Sequence, residues 1–195
     1  MHRPLPHLVA LIAAAAIAGS AAAQDTPLLL DVTGGVGIPV SSFADGDGPG
    51  EGAEPGVAFG VGFTLPRSDR FALYLGFDQQ RFGCEAAGCA EGGTFVATGF
   101  DLALRFALLT GHQAIPWIRV GGIATRVETR DLPEPDRGVS DLGWGGEAAF
   151  GVYVGWSWIA IHPMVTYSTV DARLTGGSTM GLRYVTPYLG ISFPF

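Results

Sequence analysis

The sequence VTPYLGISFPF, at residues 185–195, decides the fold of this chain. The odd-numbered positions in it carry only apolar side chains: Val185, Pro187, Leu189, Ile191, Phe193 and Phe195. The even-numbered positions are mostly small or carry a hydroxyl group. Because successive side chains point to opposite faces of a strand, this stretch predicts a β-strand with one strongly apolar face. Such a face is expected where a strand borders lipid.

Seven earlier segments repeat this alternation and predict seven more strands. They lie at about 28–38, 57–65, 71–81, 94–108, 114–126, 142–155 and 158–170. In the fifth of these, Gly121 and Gly122 predict a β-bulge. Long connections rich in Gly, Pro, Asp and Glu (41–56, 82–93, 127–141, 171–179) alternate with short turns (66–70, 109–113, 156–157). This asymmetry is typical of a transmembrane barrel with long external loops and short periplasmic turns.

The second face of the predicted strands distinguishes a membrane barrel from a soluble barrel with an apolar lumen. A soluble barrel needs charged side chains over its outside, whereas here the second face holds mainly Gly, Ala, Ser and Thr with isolated charges. Small side chains suit the narrow interior of an eight-stranded barrel. We therefore predict an all-β fold, an eight-stranded antiparallel up-and-down transmembrane β-barrel, with its bulky apolar face toward lipid.

The aromatic residues cluster toward the two ends of the predicted strands, which suggests two interfacial girdles. The periplasmic girdle would contain Phe63, Phe71, Trp117, Trp156, Trp158, Phe193 and Phe195, although Trp117 could instead face inward. The outer girdle would contain Phe43, Phe82, Phe95 and Trp144.

Residues 1–23 predict a cleaved signal peptide, so residues 24–195 would form the barrel domain. The segment has His2 and Arg3 at its start, then an apolar run, then Ala21-Ala22-Ala23 as a small-residue cleavage pattern. The alternative, a transmembrane anchor, would need a longer apolar run. Cleavage would place the mature chain outside the cytoplasm.

The charge balance excludes a nucleic-acid partner. Without Arg3, ten arginines face 18 acidic residues and the net charge is −8, and the chain contains no lysine. A nucleic-acid-binding surface would need a basic patch. No segment of the mature chain has the uninterrupted apolar run of a membrane helix, and no sequence motif indicates a cofactor.

Residues 24–195 resemble the superfamily of small eight-stranded outer-membrane β-barrels, which includes OmpA-like, OmpX-like and opacity-type "porin family" domains. The resemblance rests on GVGIP at 35–39, on the repeated alternating strands and on the ending at 189–195. It implies a monomer in the cell outer membrane, surrounded by lipid and lipopolysaccharide. It also implies that the outer-membrane assembly machinery recognises the last strand through Leu189, Ile191, Phe193 and Phe195.

Two cysteines, Cys84 and Cys89, predict a disulfide within one loop. An exported chain meets an oxidising compartment, where two cysteines five residues apart form a local staple. The alternative is a metal site, but no histidine accompanies the pair and further ligands would be needed.

Six charged residues fall on the predicted inward face. They are Asp31, Asp78, Asp101, Arg105, Arg119 and Glu147. Unpaired charges in a narrow lumen would be costly, so we predict that they pair in an internal network. The alternative is a polar pathway for ions.

No residue pattern indicates catalysis. His162 and Ser168 share a strand face, but six residues separate them by roughly 20 Å, and neither lies in a Gly-x-Ser-x-Gly setting. The acidic loops could bind divalent cations weakly, but Asp45-Gly46-Asp47-Gly48 is too short for an EF-hand loop. The sequence therefore favours a non-enzymatic structural or surface-interaction protein that acts through long acidic external loops. The alternatives are a narrow pore for small solutes and, less favoured, a lipid-modifying enzyme.

Overall fold

The computed structural model describes residues 28–45, 52–84, 93–130, 138–156, 158–173 and 179–195. The strands are β1 (Leu29–Pro39), β2 (Ala53–Glu54), β3 (Gly56–Pro66), β4 (Phe71–Cys84), β5 (Thr94–Ala107), β6 (Ala114–Arg130), β7 (Gly143–Trp156), β8 (Ile159–Arg173) and β9 (Thr179–Pro194). One short helix, α1 (Ser42–Asp45), follows β1. The predicted signal peptide and Cys89 lie outside the described residues.

The strands form one closed antiparallel barrel. Each wall strand pairs with its sequence neighbours, β1 pairs with β9, and the β4–β5 pairing completes the ring. The two-residue β2 pairs with β4 just as β3 does, so β2 and β3 are parts of one wall strand interrupted at Pro55. The wall therefore has eight strands, and the predicted fold class is confirmed. Closure pairs every edge, which a strand structure in lipid requires.

The two faces of the wall differ as predicted. Large apolar side chains point outward and are exposed, among them Val57, Leu75, Phe100, Val120, Phe150, Val165 and Leu189. Inward positions are buried and often small, and the small residues make room for larger ones. A Cβ on Gly62 or Gly76 would lie within 2.6 Å of the Tyr74 hydroxyl, so these two glycines allow that ring to lie across the lumen.

The predicted bulge in the fifth wall strand, β6, is absent. Gly121 pairs with Ala103 and Gly122 with Leu102 in an unbroken register. A Cβ on Gly121 would lie 2.7 Å from the Ala103 Cα, so close approach of the backbones, and not an inserted residue, requires glycine there. The strand also continues to Arg130, beyond its predicted end at residue 126.

The outer aromatic girdle was predicted wrongly at three of its four positions. Phe43, Phe82 and Phe95 are at most 2% exposed and point into the barrel, while Trp144 points outward and is 70% exposed. Phe82 and Phe95 have the inward parity of their strands, and α1 folds Phe43 over the lumen. At the other end, Trp117 also faces inward.

Among the described residues, no helix is long and apolar enough to cross a membrane.

Candidate functional site

The barrel interior divides into three layers between its two ends. The short-turn end contains the connections at 67–70 and 108–113, and the long-loop end is the opposite one. Nearest the short turns is a turn-end cluster around Asp31 and Arg105. A central cluster follows, formed by Asp78, Asp101, Arg119 and Glu147. An apolar plug fills the lumen at the long-loop end.

In the turn-end cluster, the Asp31 carboxylate is surrounded by donors. Arg105 Nη2 lies 3.3 Å from Asp31 Oδ2, and the Thr64 hydroxyl donates to the same oxygen at 2.6 Å. The Tyr153 hydroxyl lies 3.4 Å from Asp31 Oδ1, and the Ser192 hydroxyl also donates to this atom. Asp31 is 1% exposed, so this carboxylate has exchanged its water for protein donors.

Arg105 is held as tightly as its partner. Its Nη1 donates to the Thr64 hydroxyl at 2.9 Å and to the Tyr153 hydroxyl. Its guanidinium carbon lies 4.4 Å from the Trp117 ring centroid and 5.1 Å from that of Tyr153. Contact with aromatic faces stabilises a desolvated guanidinium. The turn-end cluster therefore contains the ion pair of Asp31 and Arg105, each with several partners, and the His162 imidazole beside it.

The central cluster has a different charge balance. Arg119 Nη2 donates to Glu147 Oε2 at 3.2 Å, and Arg119 Nε lies 2.9 Å from Glu147 Oε1 without hydrogen-bond geometry, so the pair has one hydrogen bond and a second ion contact. The Tyr74 ring covers the guanidinium, with its centroid 4.1 Å from Arg119 Cζ. Asp78 and Asp101 join the same cluster, and Oδ1 of each is buried with no hydrogen-bond partner in the described residues. Three carboxylates thus share one guanidinium.

A small polar cavity lies within the central cluster. Its volume is about 20 Å³, which is room for about one water molecule. Asp78, Asp101, Thr166 and Ser168 contribute to its lining. A water there would supply donors to the unpartnered carboxylate oxygens. In the part of the chain that the structure describes, no three His, Cys, Asp or Glu residues are grouped to hold a metal ion.

The apolar plug closes the lumen beyond the central cluster. Phe82 lies at its middle, with its ring centroid 5.1 Å from that of Phe43 and 5.4 Å from that of Tyr184. Phe43 also packs against Phe95 at 6.1 Å. The full plug consists of Phe43, Ala53, Phe82, Phe95, Ala97, Ile123, Val127, Val170, Ala172, Met180, Leu182 and Tyr184.

The six charges predicted for the lumen all face inward, and their ion pairs fall in two adjoining groups. Asp31 pairs with Arg105, and Arg119 pairs with Glu147, while Asp78 and Asp101 form no separate ion pair within the described residues. His162 and Ser168 are buried in the lumen too, and His162 Nε2 lies 3.7 Å from Asp31 Oδ1.

The other predicted site residues lie on the wall. Leu189, Ile191, Phe193 and Phe195 all point outward. Cys84 ends β4, and its predicted partner lies outside the described residues. The sequence interpretation missed the aromatic residues of the lumen. The inward parity of Tyr74 and Tyr153 could have revealed them, whereas no periodicity could place Phe43, because it belongs to a connecting segment.

Comparison with known proteins identifies similar structures only. No protein-family model matches the sequence, and no curated protein matches it significantly. Among solved structures, Neisserial surface protein A has a TM-score of 0.65 at 14% identity, over 86% of this chain and 97% of that one. Ail, the attachment invasion locus protein of Yersinia pestis, has a TM-score of 0.56 at 13% identity, over 87% and 99%. The N-terminal barrel of Pseudomonas aeruginosa OprF has a TM-score of 0.50 at 11% identity, over 87% and 98%. The fold is thus that of small eight-stranded outer-membrane barrels.

Proposed function

We propose that this protein is a non-conducting, non-enzymatic β-barrel of the outer membrane, which presents external loops for surface interactions. The observation that carries the proposal is the apolar plug, because the central lumen residues of the plug, such as Phe82 and Tyr184, are fully buried at the loop-bearing end. A lumen filled by side chains is normal for eight strands. The proposed function therefore depends on the external loops that the barrel presents, and not on transport through its lumen.

The dimensions of the outward apolar face support a location in the outer membrane. The stretch from Val185 on β9 to Phe195, which directly follows β9, has six alternate apolar positions. At about 3.3 Å per residue this stretch is roughly 33 Å long, or about 25 Å high when tilted by about 40°. That height equals the apolar band of outer-membrane barrels. The structural likeness to Ail and OprF supports the same location.

The surface role rests on the loop-bearing end of the barrel. The connections there contain most of the acidic residues outside the lumen, so the sequence of this end is hydrophilic. One solved structure of Ail contains the heparin analogue sucrose octasulfate, which supports the view that a barrel of this fold can present a ligand-binding surface. Lipid, lipopolysaccharide and the outer-membrane assembly machinery complete the set of partners that we propose for a monomeric barrel.

A narrow pore is the second candidate function, and the central cluster is the observation that favours it. Asp78 and Asp101 are unpaired acids beside a polar cavity, as in a pathway for cations. Planar-bilayer recording with refolded protein separates the two candidates. We expect no stepwise current, because the plug seals one end of the lumen. Steady stepwise currents from the unaltered protein would overturn the non-conducting barrel.

The plug can be tested with two phenylalanines in different surroundings. Phe82 is 0% exposed within the plug, whereas Phe59 is 48% exposed on the outward face. Phe82→Ala should lower the free energy of unfolding by about 3–4 kcal/mol, since it leaves a cavity, and should permit brief currents. Phe59→Ala in the same detergent should change the free energy of unfolding by less than about 1 kcal/mol, because its ring lies on the outward face. This variant should also give no stepwise current in the planar bilayer. Equal effects of the two substitutions would contradict the role given to the plug.

A further inference from the structure

The outward face of the wall carries a group of arginines at the long-loop end. This outer arginine belt consists of Arg81 on β4, Arg126 and Arg130 on β6, Arg173 on β8 and Arg183 on β9. All five have the outward parity of their strands. The described residues contain nine arginines, and of the other four, two lie in the lumen and two in the turn at 67–70. More than half of the described arginines therefore lie on one edge of the outer wall.

The belt begins where the apolar band ends. Along β6 the outward residues change from Ile118 and Val120 to Arg126 and Arg130. On neighbouring β5 the change occurs at Thr98, which pairs with Arg126 and accepts a hydrogen bond from the Gln79 side chain at 3.1 Å. Polar side chains on β4 and β5 thus lie at the level of Arg126, next to the outward apolar residues. This level corresponds to the headgroups of a lipid leaflet.

The arginines on β4 and β6 flank one rung of the wall. Arg81 pairs with Val96 in the register, and Val96 pairs with Glu128. Val96 is only 3% exposed although it points outward. Its burial is consistent with long charged side chains folding across it, as arginine stems do at an interface. Arg130 continues the group one rung farther out, opposite Thr94.

The arginines on β8 and β9 form a second group. Arg183 Nη2 lies 4.0 Å from Asp171 Oδ1, and Arg173 is the next outward residue after Asp171. The Arg183 side chain extends over Gly181 toward the long-loop end, because a Cβ on Gly181 would lie 2.7 Å from Arg183 Nη1. The Arg183 guanidinium therefore points away from the apolar band.

The acidic residues on the same face are fewer than the arginines within the described part of the chain. The outward acids of these strand ends are Glu54, Glu128 and Asp171, beside five arginines. The Arg130–Glu128 pair is 2.9 Å long, with 56% and 40% of the two side chains exposed. Exposed pairs of this kind hold their partners weakly, so a stronger anion can compete for the guanidinium groups.

The opposite rim of the barrel lacks this feature. Outward positions near the short turns are aromatic or apolar, among them Phe63, Phe106, Leu108, Trp158 and Phe193. On the outward faces of the strands, the described arginines thus lie toward the long-loop end, whereas Arg67 and Arg70 lie in a turn at the opposite end. In the orientation given by the proposed function, the long-loop end lies in the outer leaflet.

We propose that the outer arginine belt binds the phosphate groups of phosphorylated glycolipids in the outer leaflet. A guanidinium offers paired N–H donors that match two phosphate oxygens. The spacing of Arg126 and Arg130 along one face of β6 spreads these donors over roughly 13 Å, which lets one lipid meet both side chains. This inference rests on the outer-membrane location in the proposed function, and it names the chemical class of lipid and the residues that bind it.

The test compares two arginine pairs in refolded protein. Bisphosphorylated lipid A is titrated into detergent micelles that contain the full chain, and affinity is measured from tryptophan fluorescence. Arg126→Gln with Arg130→Gln should weaken binding about tenfold, since each arginine near an anionic lipid surface contributes a several-fold factor. Arg67→Gln with Arg70→Gln removes the same charge from the short-turn end and should leave affinity unchanged. Arg173→Gln with Arg183→Gln provides a second belt variant and should also weaken binding.

The result that overturns the inference is equally specific. Equal lipid affinities for the belt variants and the turn variant would show that the outer arginine belt is not the binding site. Lipid A without its phosphates must bind at least tenfold more weakly to the unaltered protein, and equal binding would exclude phosphate as the ligand. Inorganic phosphate that displaces the lipid at equal concentration would show that free phosphate, and not a lipid, is bound. A conducting barrel would overturn the proposed function but would leave these affinities as they are, so the two failures are distinguishable.

Discussion

The two charge clusters of the lumen lie next to each other along the barrel, yet their buried charges are compensated differently. In the turn-end cluster, Asp31 and Arg105 are matched one to one, and hydroxyl groups of Thr64, Tyr153 and Ser192 surround them. In the central cluster, Arg119 contacts Glu147 through one hydrogen bond and one 2.9 Å ion contact, but Asp78 and Asp101 each have a buried oxygen without a hydrogen-bond partner among the described residues. The Asp31 carboxylate is thus surrounded by donors, whereas the central cluster has an excess of acid.

Because of this difference, the charges of the two clusters contribute differently to the free energy of unfolding. A buried ion pair is costly to break, because removal of one partner leaves the other charge without compensation. An acid in excess has the opposite effect, since its own charge is already uncompensated. Removal of a paired carboxylate in the turn-end cluster and of an excess carboxylate in the central cluster should therefore change stability in opposite directions.

The largest effect is expected from Arg119→Gln. The variant leaves Asp78, Asp101 and Glu147 together without a cation, so the free energy of unfolding should fall by about 4–5 kcal/mol. The measurement is urea unfolding in detergent micelles, with heat-modifiable migration on gels as the folding check. Arg67→Gln is the control, because that arginine lies exposed in a turn. A fall below about 1 kcal/mol for Arg119→Gln would contradict the central role of this guanidinium.

The second effect, from Asp31→Asn, should be a loss of about 3 kcal/mol. The amide cannot balance the Arg105 charge, and its NH₂ group would face hydroxyl donors that now point at the carboxylate. Asp171→Asn is a suitable control, because that carboxylate is 65% exposed. If Asp31→Asn were as mild as the control, the turn-end cluster would not be the tightly paired structure that its distances indicate.

The smallest effect, from Asp101→Asn, should have the opposite sign. The substitution keeps the shape of the side chain, removes one excess charge, and gives the Asp78 carboxylate a possible donor, so stability should rise by about 1 kcal/mol. It should also restore part of the loss in an Arg119→Gln background, but not in an Arg105→Gln background. Destabilisation by Asp101→Asn alone would mean that the two clusters do not differ in the way described.

The fold and the sorting of side chains followed from the sequence because strand alternation is a local property. Each wall strand shows its two faces within ten residues, and the same parity places Asp31, Asp78 and Arg119 inward without knowledge of their neighbours. The alternation of long and short connections gave the order of the strands around the barrel.

The sequence could not predict partners across the lumen. Asp31 and Arg105 are 74 residues apart, and their contact depends on the stagger of strands around the closed ring. The same holds for Phe82 and Tyr184, whose inward position was visible but whose packing with Phe43 was not. The bulge predicted at Gly121 and Gly122 failed for a related reason, because a glycine pattern does not distinguish an inserted residue from close contact with Ala103.

The sequence by itself therefore determined an eight-stranded β-barrel and the face on which each strand residue lies, because periodicity of two is encoded by adjacent residues. Only the tertiary structure decided which charges meet. Closure of the ring brings inward residues of distant strands to one level, and so it separates a balanced pair around Asp31 from an acid-rich group around Arg119. It also brings the outward arginines of β4, β6, β8 and β9 to the long-loop end of the wall, where the sequence shows only scattered basic residues.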